Sequence, residues 1–263
     1  TTEIAIGNNL LVFDWIADLV RLNKSFIVKR NTGIREALLA AKQLSGYIHH
    51  AILDKKQSVW IAQREGRAKD SSDHTQDSVL KMLALGGEGT IVEKLKALNI
   101  VPLTISYEYD PCDYLKAQEF QLKRDDPSWK KSKQDDLDNM RIGIFGFKGH
   151  VHYHTSTPVN TWIDELKDLP KTEVYKEIAQ RLDKAIHAGY KLYPGNYIAY
   201  DELNGTSTFS QHYGEREKNV FDKYVSQQIA KIDIPNKDEA FLRERILTMY
   251  ANPVVNKLQT ETK

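Results

Sequence analysis

The chain has 263 residues, between one and two domains at roughly 150 residues each, and its 41% hydrophobic and 28% charged content supplies a buried core and excludes wholesale disorder. Its 37 Lys+Arg against 36 Asp+Glu leave a formal charge of +1. That excludes a global field for nucleic acid or an anionic membrane, so any anion site has to be a local cluster.

The sequence starts with Thr1 rather than Met and runs at once into the strand-like Glu3-Ile4-Ala5-Ile6, which reads as a chain cut in mid-fold. Phe26-Ile27-Val28 is a short apolar run of the strand type. From Ile34, the positions Leu38, Ala41, Ile48 and Ile52 form one stripe of an amphipathic helix that Thr32 can cap. Val59-Trp60-Ile61-Ala62 follows without polar alternation, as expected of a strand covered on both faces. Helical stretches near 75–85 and 90–98 lead to a third run, Ile100 to Tyr107. Strand, helix, strand, helix, strand predicts an α/β fold with a mostly parallel sheet and crossover helices. Residues 112–139 are charged and helical in pattern, with Pro127 as a break. Arg141–Phe145 and His150–His154 then flank the glycine-bearing Gly146-Phe147-Lys148-Gly149, as a strand pair would. Val174, Ile178, Leu182, Ala185 and Ile186 mark another helix, and 214–231 and 236–251 two more, so the C-terminal quarter reads as helical cover.

Ligands of open parallel sheets collect beyond the carboxyl ends of the strands. There the first run leads into Lys29-Arg30, the second into Gln63-Arg64-Glu65-Gly66-Arg67, and the third into Tyr107-Glu108-Tyr109-Asp110. Guanidinium groups from two strand tips suit a phosphate, to which each can donate two parallel hydrogen bonds, and glycine admits close backbone approach. The same charges also fit a solvated loop. Ala68–Asp73 fits either a mobile loop over such a site or a plain surface connection.

Taken in order, Ser25–Arg30, Trp60–Arg67 and Ile100–Ile105 resemble the second, third and fourth sequence blocks of the glycerolipid acyltransferases, which include the glycerol-3-phosphate and lysophosphatidate acyltransferases. The resemblance covers roughly residues 1–165, including Phe147–His152, which resembles a bacterial glycerol acyltransferase subgroup. It implies an acyltransferase α/β core over 1–165 and a helical C-terminal extension over 166–263. It also implies transfer of a fatty acyl group from acyl-CoA or acyl carrier protein, as co-substrate rather than cofactor, to the hydroxyl of a glycerol-phosphate or lysophosphatidate-like acceptor. Arg30 matches the arginine that binds the acceptor's phosphate, and Glu65 and Gly66 match the E-G-x-R block. Here arginine follows glycine directly, as Arg67, and Arg64 precedes the glutamate, so phosphate binding is open between the two. With Lys29 these residues make up the expected substrate site. The family's first block, H-x-x-x-x-D, whose histidine is the general base, has no counterpart before Arg30, since the first histidine is His49. The chain as given is expected to lack the catalytic pair. The alternative is a non-catalytic module for phosphate or a lipid headgroup.

His49 and Asp54 satisfy H-x-x-x-x-D formally, but in the wrong order relative to Arg30 and about 140° apart around a helix. His150, His152 and His154 would share a strand face, where imidazoles can bind zinc or copper. With no thiolate near them, polar surface alternation is preferred and no metal is expected. Cys112, the single cysteine, excludes an internal disulfide and points to a reducing compartment, by default the cytoplasm. No apolar run approaches the roughly 18 residues of a membrane span and no signal-peptide pattern appears; the resemblance to lipid-acylating enzymes implies a peripheral seat on the cytoplasmic face of the inner membrane. Phe13, Trp15 and Leu19 fit lipid contact or core packing equally.

Overall fold

The computed structural model describes residues 2–7, 11, 14–28, 33–66, 68–72 and 74–261. It is an α/β protein, mostly helical, that divides into two compact units interleaved along the chain. One comprises Thr1–Gly66, His74–Pro102 and Ser156–Ala185, and the other Arg67–Asp73, Leu103–Thr155 and Ile186–Lys263. The boundary expected at 165/166 therefore does not separate them, because the first unit continues to Ala185.

The first unit holds a three-stranded parallel sheet of order β2-β1-β3, with β1 (Thr2–Gly7) between β2 (Ser25–Val28) and β3 (Ser58–Trp60). The opening run Glu3–Ile6 is thus the central strand. Ile27 and Trp60 on the flanking strands are 44% and 43% exposed, so the covering expected on both faces is not met. Helix α1 (Asp14–Leu22) connects β1 to β2, and α2 (Ile34–Leu53) connects β2 to β3. Gly33 is the N-cap of α2, and Thr32, the expected cap, lies outside the described residues. Along the predicted stripe Ile48 is buried while Leu38 is 62% exposed, so the helix faces the core with its second half. Ser45 fixes that half: its hydroxyl donates to the Leu83 carbonyl at 2.9 Å and accepts from the Gly86 amide at 2.7 Å. Helices α3 (Asp77–Leu83) and α4 (Ile91–Ala97) follow, the latter opened by a Thr90–Glu93 capping box. With 3-10 turns at Val159–Thr161 and Ile163–Leu166 and with helix α7 (Lys171–Ala188) as far as Ala185, they close a core of Ile48, Leu80, Leu95, Ile163 and Ile178.

The second unit corrects two expectations. Leu103–Tyr107 (β4) is not a third parallel strand but pairs antiparallel with Val151–Thr155 (β5), Ile105 opposite Tyr153. Its inward residues are polar: Thr104 Oγ1 donates to the Ile186 carbonyl at 2.9 Å, and Ser106 Oγ accepts from the Lys191 amide at 3.1 Å. Ile105 and Tyr107 face out, the reverse of a strand covered in a parallel sheet. Arg141–Phe145 is not a strand either. After α5 (Asp113–Asp125), a reciprocal Ser132–Asp135 capping box starts α6 (Lys133–Phe145), and the helix runs on through the ambiguous Ile-Gly-Ile-Phe to Gly146.

Three C-terminal helices complete the unit: α8 (Pro194–Asn204), α9 (Glu215–Ala230) and α10 (Glu239–Glu261). They supply most of a core that includes Ile198, Phe221, Val225, Leu242 and Ile246 against Ala117 of α5, so the C-terminal quarter is the interior of its unit rather than cover. Helix α8 has Pro194 at its first turn and ends at Gly205 in the left-handed region, φ 61°.

Candidate functional site

The carboxyl ends of the three parallel strands border a cavity of about 510 Å³ in the first unit. Gly7 and Val28 line it from the last residues of β1 and β2, and Ile61 and Ala62 from the segment just after β3. Ala37, Ala40 and Ala41 of α2 form a wall whose small side chains leave the space open. Arg64 and Glu65 bring charge to it. This is where an open parallel sheet collects ligands, and the volume falls within the usual range for small-molecule sites.

The loop that carries the charges is gripped at its base. The Glu65 amide donates to Gln76 Oε1 at 2.9 Å, and the Gln76 amide donates to the Gln63 carbonyl at 3.0 Å. Arg64 Nη1 donates to the Glu65 carbonyl at 2.8 Å. Gly66 follows at φ +84°, a conformation that L side chains rarely adopt. Of the residues expected to form the substrate site, Arg64, Glu65 and Gly66 thus share one loop, and the first two line the cavity. Lys29, Arg30 and Arg67 lie outside the described residues; in sequence, the first two follow Val28, a wall of the same cavity, and Arg67 follows Gly66. The third predicted strand end, Glu108–Asp110, belongs to the other unit.

Farther along β1, Glu3 and Ala5 point to the same side as Gly7. Glu3 is buried and accepts from Lys55 Nζ at 2.5 Å and from the hydroxyl of Tyr47, another lining residue, at 2.5 Å. The hydrogen bond from the Lys55 ammonium, then that from Tyr47, holds the Glu3 carboxyl below its usual range. Sequence reasoning missed Tyr47, Glu3 and Gln76. Tyr47 lies one turn before His50 in a helix read only for its apolar stripe, and Gln76 immediately precedes α3, where a capping residue would have been looked for.

The formal H-x-x-x-x-D pair does not meet. His49 is buried, its Nε2 lies 3.1 Å from the Leu83 carbonyl, and Cβ atoms on Gly86 and Gly87 would come within 2.8 and 2.7 Å of its ring. Asp54 instead pairs with exposed His50, 2.7 Å from Nδ1. Among the described residues no histidine lines the cavity and no group of three or more potential metal ligands occurs. His152 and His154 lie on β5, while His150, just before it, bonds Glu108 at 2.6 Å. Cys112 is the N-cap of α5, with Sγ 3.5 Å from the Asn139 carbonyl. Among the described residues no helix is long and apolar enough to cross a membrane.

Searches of protein-family models, curated proteins and solved structures find no match for this chain.

Proposed function

We propose that this chain is the acceptor-binding part of a glycerolipid-type O-acyltransferase with the corresponding fold. In this reading the cavity at the strand ends receives a glycerol-phosphate or lysophosphatidate-like acceptor. The carrying observation is that Arg64 and Glu65 line the same cavity as Val28, the residue that Lys29-Arg30 follow in sequence. Lys29, Arg30, Arg64 and Arg67 bind the phosphate, Glu65 orients these donors and Gly66 admits the ligand. The acceptor hydroxyl attacks the thioester carbonyl of acyl-CoA or acyl carrier protein. The new C–O ester bond forms, the C–S bond breaks, and the hydroxyl proton passes through a general base to the thiolate leaving group. The reading assigns this base to none of the given residues. The protein acts in phospholipid biosynthesis in the cytoplasm, with peripheral contact to the inner membrane.

A second reading, a module that binds phosphate or a lipid headgroup without turnover, draws on the absence of histidine among the described lining residues. One experiment separates the two. In the complete protein, Arg30→Ala should raise the acceptor KM at least tenfold with folding intact, and an unchanged KM counts against the phosphate role. Saturable glycerol 3-phosphate binding with no acyl transfer in the complete protein selects the binding module.

A further inference from the structure

Gln76 occupies the N-cap position of α3, with φ −82° and ψ 127°, yet its side chain does not cap the helix. Ser, Thr, Asp or Asn would serve that helix better, so the glutamine meets some other demand. Its amide oxygen turns back across the chain to the Glu65 N–H at 2.9 Å, while its own N–H reaches the Gln63 carbonyl at 3.0 Å. These two bonds close the base of the loop from Arg64 to Thr75. Both backbone polar groups of Glu65 are thereby engaged: its N–H, in the peptide shared with Arg64, by Gln76, and its carbonyl, in the next peptide, by the Arg64 guanidinium at 2.8 Å. The clamp is itself anchored: the Thr75 amide and hydroxyl both donate to Asp183 Oδ1 of α7, at 2.7 and 2.6 Å. Every group in this chain of bonds belongs to the first unit, and Gln76 also lines the cavity.

We propose that Gln76 is a positioning residue for anion binding, fixing the backbone of Glu65 and through it the seat of the Arg64 guanidinium at the cavity. The inference rests on the reading of this loop as the phosphate site. Removing the amide oxygen takes this acceptor from the Glu65 N–H and loosens the backbone of Glu65, so the carbonyl on which the Arg64 guanidinium rests is held less tightly. One hydrogen bond of this kind contributes about 0.5–1.5 kcal/mol, which is at most about tenfold in affinity.

The test uses the full chain, with sn-glycerol 3-phosphate titrated calorimetrically and amide exchange followed residue by residue. Gln76→Met, close in size but without the acceptor, should weaken binding by up to about tenfold. It should also speed exchange of the Glu65 amide, leaving the Ala84 amide at the end of α3 protected. Gln76→Glu keeps an oxygen at the same reach and should restore protection at Glu65, which a merely structural loss would not do. If Gln76→Met binds like the parent while Arg64→Ala loses binding, the positioning role is overturned and the phosphate site stands. If the parent shows no saturable binding, both fail.

Discussion

The sheet unit packs Ile, Leu and Val against one another and, among the described residues, buries only Glu3, Ser45 and His49 as polar or charged groups; the helical unit buries ten, from Thr104 to Asn256. In the sheet unit polarity is pushed to the cavity rim, where Arg64, Glu65 and Gln76 gather. In the helical unit polarity is spent inside. Asp113 accepts from Tyr224 at 2.6 Å and Tyr250 at 2.8 Å, Asn196 donates to the Tyr250 carbonyl at 2.8 Å, and Asp201 accepts from Thr206 and Tyr213. Satisfied networks of this kind specify one packing, so a perturbed titratable group in that unit reads first as architecture rather than chemistry.

Four measurements sharpen or break this contrast. The largest effect is expected from Leu95→Ala in the sheet unit: Leu95 is fully buried, so the cavity left should cost about 2–5 kcal/mol. The loss should be equal at pH 4 and pH 7 in denaturant titrations; a strong pH dependence would show that ionisation also governs the apolar core.

The next two effects fall in the helical unit and run in opposite directions. Glu119 is buried and gathers Lys69, Lys131 at 2.6 Å and Lys123 at 2.9 Å. Burial works to raise its pKa, but the lysine hydrogen bonds outweigh this and hold the carboxyl down to about 2, below the ordinary value of about 4.5. A depressed folded-state pKa contributes stability above pH 4.5 that is lost as pH falls toward 2, here about 3 kcal/mol, and Glu119→Gln should abolish that acid limb.

Asp113 behaves oppositely. Burial raises it to about 6 despite the two tyrosine hydroxyls. The folded state therefore binds the proton more tightly, and stability falls as pH rises from the ordinary aspartate value of about 4 to about 6, by about 3 kcal/mol. Asp113→Asn should flatten this window, and an unchanged slope between pH 4 and pH 6 would remove Asp113 as its source. The smallest effect is Thr90→Ala, which deletes the α4 cap and should cost about 1 kcal/mol while leaving the fall between pH 4 and pH 6 in place.

The same contrast decides what could be read from sequence. The sheet unit was legible because its interior is apolar and periodic: Phe26–Val28, the second half of α2, the helices near 80 and 94, and the stripe of α7 all stand where hydrophobic spacing puts them. The helical unit hid itself because its signals lie in polar residues. Thr104 and Ser106 face inward, a capping box outweighs the strand-like Ile142–Phe145, and α8 is announced only by Pro194 and Gly205. At the site, the charged loop Arg64–Gly66 was visible as residue types. Its partner Gln76 was not, because a contact spanning eleven residues through a side-chain amide leaves no periodic trace.

The central position of β1 has a consequence for handling and for biosynthesis. Ile4 pairs with both Ser25 and Trp60, so six residues carry every ladder of that sheet. Trimming Thr2–Gly7 would not shave an edge; it would leave two short strands with no neighbour to join them. During translation those six residues leave the ribosome before either neighbour strand, and must wait for Ser58–Trp60, more than fifty positions later, before both of their sides are filled.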